Sequence, residues 1–568
     1  MKKHSGSKSF PDPLAPQEEK AEKAYGLQYA KAIESQWGRK NNSDSVFSKR
    51  LTIFERNRKY ANGTQDTNIY KKLLNNLSPN GADGSLMNID YTPVPILPKF
   101  VRIVVNKILS RNPYPNLEAI DPLSSSEKNR EKKKLEIRVA IKKQLLELQK
   151  QTGAQFSFNV EELPDNEAES EIFLNNNIKS DAEIAAQIAI DMTLSWSNFN
   201  DNTFRRSVQD LASIGIAVIK RTNDPSYGIT TKYIDPKDFV HSYSEDPGFT
   251  DLTYGGHIKS MPIQELRRLA GDELAEDDYK EIAKKTSSSA SLGSRYDSNR
   301  GSTIYDYDEN SVDVLEFEFL STDVLIFEEK ENQYGNTNFF NEGYSYKEKS
   351  GGVFQRTPHR LDVVNVYKGF YVIGTDKIFG YGRETNVPKN IYDISKATLS
   401  YSVVATNLLD MMPKSMVDSC VGFADMLQLT HLKIQQSIAK AKPDGLIIDI
   451  EGLENVQLGK GGEMQPLELH DIYEQTGVFY YRSKNPEGGF QNPPIREIGN
   501  SIRNINELIN LYNHYIRLIR DTTGINEVVD ASSPKGEALV GVREQAIAAS
   551  NNATYDITNA AMILYKKV

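Results

Sequence analysis

The sequence predicts an α+β protein, with helical stretches towards both ends of the chain and a strand-rich region in its middle. Apolar residues recur at helical spacing over 17–37, 44–61, 178–200, 203–213, 416–442, 501–520 and 539–566. Between 312 and 383 the period drops to two, most clearly in Val312-Asp313-Val314-Leu315-Glu316-Phe317-Glu318-Phe319-Leu320. Several antiparallel strands are expected there, with a long excursion near 330–357.

Length and composition narrow the class. At roughly 100–200 residues per domain, 568 residues make about three to five structural units. Hydrophobic residues are 38% and charged ones 26%, but 22 Phe and 29 Tyr suffice for a packed core and argue against chain-wide disorder. The 68 Lys and Arg stand against 77 Asp and Glu, a net charge of −9. A chain that grips nucleic acid through its phosphates is normally basic, so any nucleic acid handled here is expected to pass without being held. The single cysteine, Cys420, excludes an internal disulfide framework and a cysteine-based zinc site, and fits assembly in a reducing cytoplasm. It reads as a buried small hydrophobe. The best apolar run, Val94 to Leu109, is interrupted by Pro95, Pro98, Lys99, Arg102 and Lys107, short of the ~18 apolar residues a membrane span needs. MKKHSGSKSFPDP has no apolar stretch behind its basic start, so no secretory signal is expected.

In chain order, residues 1–16 are polar with three prolines and read as a mobile arm. Helices are expected over 17–37 and over 44–61, the second ending at Ala61-Asn62-Gly63. Residues 76–91 read as a loop. In 99–110, Phe100, Ile103, Val104, Lys107 and Ile108 share one helical face, stopped by Asn112-Pro113-Tyr114-Pro115. A long charged helix spans 124–152, and its KNREKKK run reads as a solvated face. An amphipathic helix over 178–200 (Ile184, Ile188, Met192, Trp196) and another over 203–213 precede a β-hairpin, Ile214–Arg221 and a strand ending at Tyr233-Ile234-Asp235-Pro236. Pro262–Ala270 is a short helix and 286–310 a Ser/Gly/Asn-rich loop. Strands are expected at 361–366 and 369–374. Helical texture returns at 394–441, with Pro413 starting or kinking a segment and Met416–Lys442 running about 40 Å at 1.5 Å per residue. A compact Gly/Pro-rich region follows to 499, with strands at 446–450 and 477–481. A helix over 501–520, a polar loop over 521–538 and a helix over 539–566 complete the series. The helical pattern is still running at Val568, so further sequence beyond it is expected.

Catalytic signatures are missing. His4, His241, His257, His359, His431, His470 and His514 show no metal-ligand spacing. In GLENVQLGKGG, Gly452 and Gly459 are seven apart rather than five, and Gly461 stands where a phosphate loop needs Ser or Thr. Gly380-Tyr381-Gly382-Arg383-Glu384-Thr385 ends in Thr and follows no βαβ pattern. No cofactor is expected, and a structural protein without catalysis is the preferred reading.

The informative feature is an order of elements: a mixed body, a long helix, a small α/β insertion, a second long helix, a polar loop and a last helix. The first long helix has Val417, Val421, Ala424, Leu427, Leu432 and Ile438 spread over more than one face; the second has Ile502, Ile505, Leu508, Tyr512, Ile516 and Ile519. Helices apolar on several faces expect neighbours on several sides, which copies of the same chain would supply.

This order resembles the portal protein of tailed bacteriophages. Phe54-Glu55-Arg56-Asn57-Arg58-Lys59-Tyr60-Ala61-Asn62-Gly63 is similar to the opening of portals, and Gly215–Lys220 through Tyr233–Val240 to their wing hairpin. Lys440–Ile447 resembles a stem-to-clip junction, Asp521–Asn526 the end of the second stem helix, and Val542-Arg543-Glu544-Gln545 the start of the kinked helix. The resemblance covers about 44–568. The Asn- and Tyr-rich style and the extended 286–360 segment are similar to portals of crAss-like phages.

The resemblance implies a portal-like fold: an arm and helix (1–43), a mixed α/β wing (44–393, β-rich at about 312–393), a first stem helix region (394–442), a small α/β clip (443–499), a second stem helix (500–520), a tunnel loop (521–541) and a kinked helix towards a crown (542–568). It implies a homo-oligomeric ring, usually of twelve subunits, at one capsid vertex of the virion, assembled in the host bacterial cytoplasm. The ring would conduct double-stranded DNA and touch the major capsid protein, tail adaptor proteins and, transiently, the packaging terminase ATPase. Asn526, Glu527, Asp530, Ser532, Ser533, Lys535 and Glu537 would line the channel. Segment 521–544 carries Asp521, Glu527, Asp530, Glu537 and Glu544 against Lys535 and Arg543, a net −3 that would surround DNA without gluing to it. Lys535 would make transient phosphate contacts, or Ser532–Gly536 is a solvent turn. In the clip, Tyr473, Phe479, Tyr480, Tyr481 and Phe490 would anchor adaptors or neighbours, or form a small core. The alternatives are a nucleic-acid-processing enzyme and a non-conducting capsid-associated scaffold.

Overall fold

The computed structural model describes residues 9–37, 46–76, 90–142, 179–288, 311–331, 337–342, 356–440, 445–448, 495–498, 501–529 and 540–568, less positions 112, 116, 225, 226, 386, 388, 391 and 392, together with isolated positions 144, 147, 151, 164, 169, 465 and 468. It is an α+β protein whose sheets are antiparallel.

The N-terminal part is helical: α1 (Gln17–Ala21), α2 (Lys23–Trp37), α3 (Val46–Asn62), α4 (Asn68–Asn76), α5 (Leu97–Leu109) and α6 (Pro122–Ala140). The single helix expected over 17–37 is interrupted at Glu22, whose backbone is extended (φ −73°, ψ 141°). Asp121 starts α6 by accepting the Ser124 amide at 2.9 Å, with Pro122 in the first turn, where its missing N–H leaves no bond unmade. Next, α7 (Asp181–Trp196) opens with a reciprocal cap in which the Ser180 and Glu183 side chains each accept the other's backbone amide. A π-helical turn over Phe199–Phe204, entered through left-handed Asn198 (φ 45°), leads into α8 (Arg205–Ser213).

Strands follow: β1 (Ile216–Asp224), β2 (Gly228–Ile234), β3 (Phe239–His241) and β4 (Tyr254–Pro262), then α9 (Ile263–Ala270) and α10 (Glu276–Ser288). After them come β5 (Ser311–Glu331), β6 (Thr337–Glu342), β7 (Arg356–Val372), β8 (Ile378–Arg383), β9 (Lys389–Asn390), β10 (Asp393–Ala397), β11 (Tyr401–Ala405), β12 (Leu408–Leu409) and β13 (Met412–Pro413). The remaining elements are α11 (Met416–Lys440), β14 (Gly445–Ile448), β15 (Ile495–Ile498), α12 (Ser501–Thr523), α13 (Val540–Ala553) and α14 (Tyr555–Lys567). A non-helical Thr554 separates the last two, so the final helical run is broken.

Two sheets carry the body. One has six strands, in the order β3-β4-β5-β7-β8 with β6 paired to β5; the other has three, β11-β1-β2. The runs at 361–366 and 369–374 belong mainly to one strand, β7, with a register shift against β8 between Lys368 and Phe370. The helical texture expected from 394 begins only at Met416. The reason lies in Tyr401-Ser402-Val403-Val404-Ala405: an aromatic and two β-branched residues among five that are all buried, laid against β1 with Ala405 opposite Ile216 and Tyr401 opposite Lys220.

The chain divides into two compact units, 1–58 with 101–418 and 551–568, and 59–100 with 419–550. Among the described residues, the first has three apolar clusters. Ile214, Ile216 and Val218 pack with Val403, Ala405 and Phe239. The α2 residues Tyr25, Ala30, Ile33 and Trp37 cover Leu315, Phe317 and Phe319 of β5, where Tyr29 stacks on Phe319 with ring centroids 4.1 Å apart. Leu266 and Ile282 cover Val312, Val314 and Val372. In the second unit, Tyr70 and Leu432 are buried with Tyr91 and Leu429 against them.

Candidate functional site

The second unit holds the two long helices and what lies between them. β14 and β15 pair antiparallel, Gly445 opposite Ile498 and Ile448 opposite Ile495. The chain therefore leaves α11 and returns to α12 through one hydrogen-bonded neck. Tyr473, Phe479, Tyr480, Tyr481 and Phe490, and the strand expected at 477–481, lie outside the described residues.

Segment 90–94 is laced onto α11 by two glutamines seven residues apart, two helical turns on one face. Gln428 accepts from the Val94 amide at 2.8 Å and donates to the Thr92 carbonyl at 3.3 Å, while Gln435 accepts from the Asp90 amide at 3.0 Å. One turn above Gln428, the Asp425 carboxylate accepts from the Tyr60 and Tyr70 hydroxyls, the latter at 2.6 Å. Burial and that hydrogen bond push the Tyr70 phenol far above its ordinary range. Cys420 is fully buried on α11, as its sequence context suggests, and burial pushes its thiol up to about 12. The second helix is covered sparsely. Among its described apolar side chains from Ile505 on, Ile519 alone is buried, and Ile509 and Leu511 are exposed.

Gly524 (φ 66°) ends α12 in the left-handed conformation. Asn526 then braces the turn: its side-chain amide donates to the Ala546 carbonyl at 2.6 Å and its oxygen accepts from the Val529 amide at 3.2 Å. Glu527 is exposed and paired with Arg520 at 2.7 Å. Asp530, Ser532, Ser533, Lys535 and Glu537 lie outside the described residues.

The first unit contains a buried ionic cluster that the sequence reading did not single out. Alternation on β5 ordinarily turns Glu316 and Glu318 to solvent. Here the face opposite Phe317 and Phe319 meets Lys220 of β1, whose ammonium lies 2.6 Å from Glu316, 3.2 Å from Glu318 and 3.0 Å from the Tyr401 hydroxyl. Ser400 donates to Glu318 from its hydroxyl and its amide. His257 Nδ1 lies 2.8 Å from the Tyr401 oxygen, with Nε2 3.7 Å from Glu316. Burial favours neutral Glu316, but the Lys220 ammonium outweighs it and holds the carboxyl down to about 2. Burial and then Lys220 push His257 the other way, down to about 4. The available signal was a lysine ending the apolar run Ile216-Ala217-Val218-Ile219. Lys220 and Glu318 are buried and Glu316 half-buried, each held by the contacts above, so the arrangement ties β1 of one sheet to β5 of the other.

A cleft of about 450 Å³ opens between the end of α7, the π-helical turn and the β1–β2 hairpin, lined by Trp196, Arg206, Tyr227, Thr231 and Tyr233. Among the described residues, no group of three or more His, Cys, Asp or Glu could hold a metal ion, and no helix is long and apolar enough to cross a membrane. No protein-family model matches the chain, and no curated protein is significantly similar to it.

Proposed function

We propose that this chain is the subunit of a phage portal: a ring at one capsid vertex that conducts double-stranded DNA during packaging and ejection and joins head to tail, without catalysis of its own. On this reading, α11 and α12 form the stem, the 443–499 insertion the clip, the segment after Gly524 the tunnel loop, and the broken run α13–α14 the kinked helix leading to a crown. The mixed body would be the wing. The observation that carries the reading is the neck. Two long helices are joined through one antiparallel strand pair, β14 against β15, at the two ends of the segment between them. The sparse cover of α12 supports it, because a helix with apolar residues on several faces needs neighbours that one hairpin does not supply. The partners would be other copies of the chain, twelve in all, with DNA in the channel and capsid, adaptor and terminase proteins around it.

Electron microscopy of the purified chain tests this. The expected image is a ring with a central hole wide enough for duplex DNA; a stable monomer at all concentrations overturns it. Lys535→Ala should leave the ring intact while altering DNA retention, and collapse of the ring would contradict the tunnel-loop assignment. Nuclease or ATPase activity in the purified protein would favour the enzyme alternative.

A further inference from the structure

The cleft between the end of α7, the π-helical turn and the β1–β2 hairpin is set apart by the mixture of groups on its wall. Its volume of about 450 Å³ falls within the ~300–1,000 Å³ of small-molecule sites. Trp196 and Tyr227 line it and are 52% and 59% exposed. Arg206 and Lys232 line it too, both exposed, and neither forms an ion pair among the described residues. Glu265 lies near Lys232 but is bound by Lys259 at 2.6 Å. Asp224 is the single carboxylate on the described lining, so the cleft is cationic on a chain of net charge −9.

The wall is held in place. Tyr233 donates its hydroxyl proton to Asp210, and the Arg206 guanidinium lies over the Tyr233 ring, 4.0 Å from its centroid. The Thr231 amide donates to Ser197 Oγ at 3.1 Å, which fixes the residue after α7 against the outer edge of β2. Thr231 and Tyr233 are two residues apart on that strand, about 7 Å. Trp196 and Arg206 thus line adjacent stretches of one trough. Thr231 is 5% exposed, and its hydroxyl is buried without a hydrogen-bond partner, where buried hydroxyls ordinarily have one.

We propose that this cleft binds a nucleoside phosphate, its base stacked on Trp196 and its phosphate held by Arg206 and Lys232. An inorganic anion would use the two cations and leave both rings in water. An apolar ligand would cover the rings and strand the cations. A planar base with an anionic tail uses both, and every base offers a π face. Arginine suits the phosphate end, because its planar fork of donors matches phosphate oxygens. A ligand oxygen seated against Thr231 would give that hydroxyl its partner. Duplex DNA does not qualify, since its bases are stacked on one another and cannot reach the ring. The site lies on one chain and goes beyond the ring reading; it neither needs the ring nor supports it.

Trp196 reports its own occupancy, because the other tryptophan, Trp37, is buried. The full chain is titrated with dAMP and, separately, with a short oligothymidylate, and tryptophan fluorescence is followed. Saturable quenching is expected with at least one of them: dAMP alone identifies a free nucleotide as the ligand, the oligonucleotide alone an unpaired strand. Deoxyadenosine and inorganic phosphate, each lacking part of the ligand, should bind at least tenfold more weakly than the better of the two. Arg206→Gln and Lys232→Gln, at exposed positions, should keep the wild-type circular dichroism and each weaken binding, Arg206→Gln at least tenfold. No saturable quenching by either probe up to millimolar concentration overturns the proposal, as does wild-type affinity in both variants. Phosphate binding as tightly as dAMP reduces the cleft to an anion site, and an acidic tyrosine-containing peptide binding more tightly than either probe gives it to a protein partner; both outcomes overturn the nucleotide reading.

Discussion

His257 is held neutral between the Lys220 ammonium and Glu316, and that has a consequence for acid stability. Its folded value of about 4 lies below the ordinary 6.5, because burial and Lys220 both disfavour the imidazolium. As pH falls from 6.5 to 4 the unfolded chain binds a proton at this residue that the folded chain does not. Stability is therefore lost across that window, by up to about 3 kcal/mol. His241 is pushed down in the same direction by burial and Arg50, so it adds to the slope. Glu316 acts lower: its stabilisation is present above 4.5 and is lost as pH falls towards 2. His257→Asn should flatten the dependence of melting temperature on pH between 6.5 and 4, and an unchanged slope would show that another group titrates there. Little of this was readable in advance. Lys220 was conspicuous in an apolar run, but Glu316 is 96 residues away, on a strand of the other sheet, and comes to it only on folding.

At the scale of elements, the turn from α8 into β1 depends on Gly215. Its φ is +83°, and a Cβ there would sit 2.6 Å from the Lys414 carbonyl oxygen. Gly228, in the β1–β2 turn, has φ +75° but open space around it. A left-handed backbone costs a non-glycine residue about 1–2 kcal/mol. Gly228→Ala should cost about that much in chemical denaturation. Gly215→Ala should cost at least about 3 kcal/mol, because the clash adds to the strain. Equal losses at the two sites would mean the close approach to Lys414 carries no energy. The long helices, the hairpin and the alternating strand at 312–320 were legible because their side-chain period is local. The strand at 401–405 was not, since a short run of buried β-branched residues is ambiguous until its partner is known.

For the whole molecule, charge sets how it would meet DNA. A net charge of −9 leaves few uncompensated cations to release counterions from a phosphate backbone. The assembled protein should bind linear duplex DNA no more tightly than about 10⁻⁴ M at physiological salt, measured by fluorescence anisotropy. Nanomolar binding would contradict a conduit that lets DNA slide. Periodicity and composition were enough to establish an α+β chain, the helices at 416–440 and 501–523 and the anionic balance, since each depends on residues near one another or on a simple count. Folding alone turned the apolar stripe of α7 outward, brought two glutamates of β5 onto one buried lysine, and set Asn526 to brace a turn through a carbonyl twenty residues on. Those outcomes depend on which surfaces meet, and a side chain's own neighbours in sequence carry no record of that.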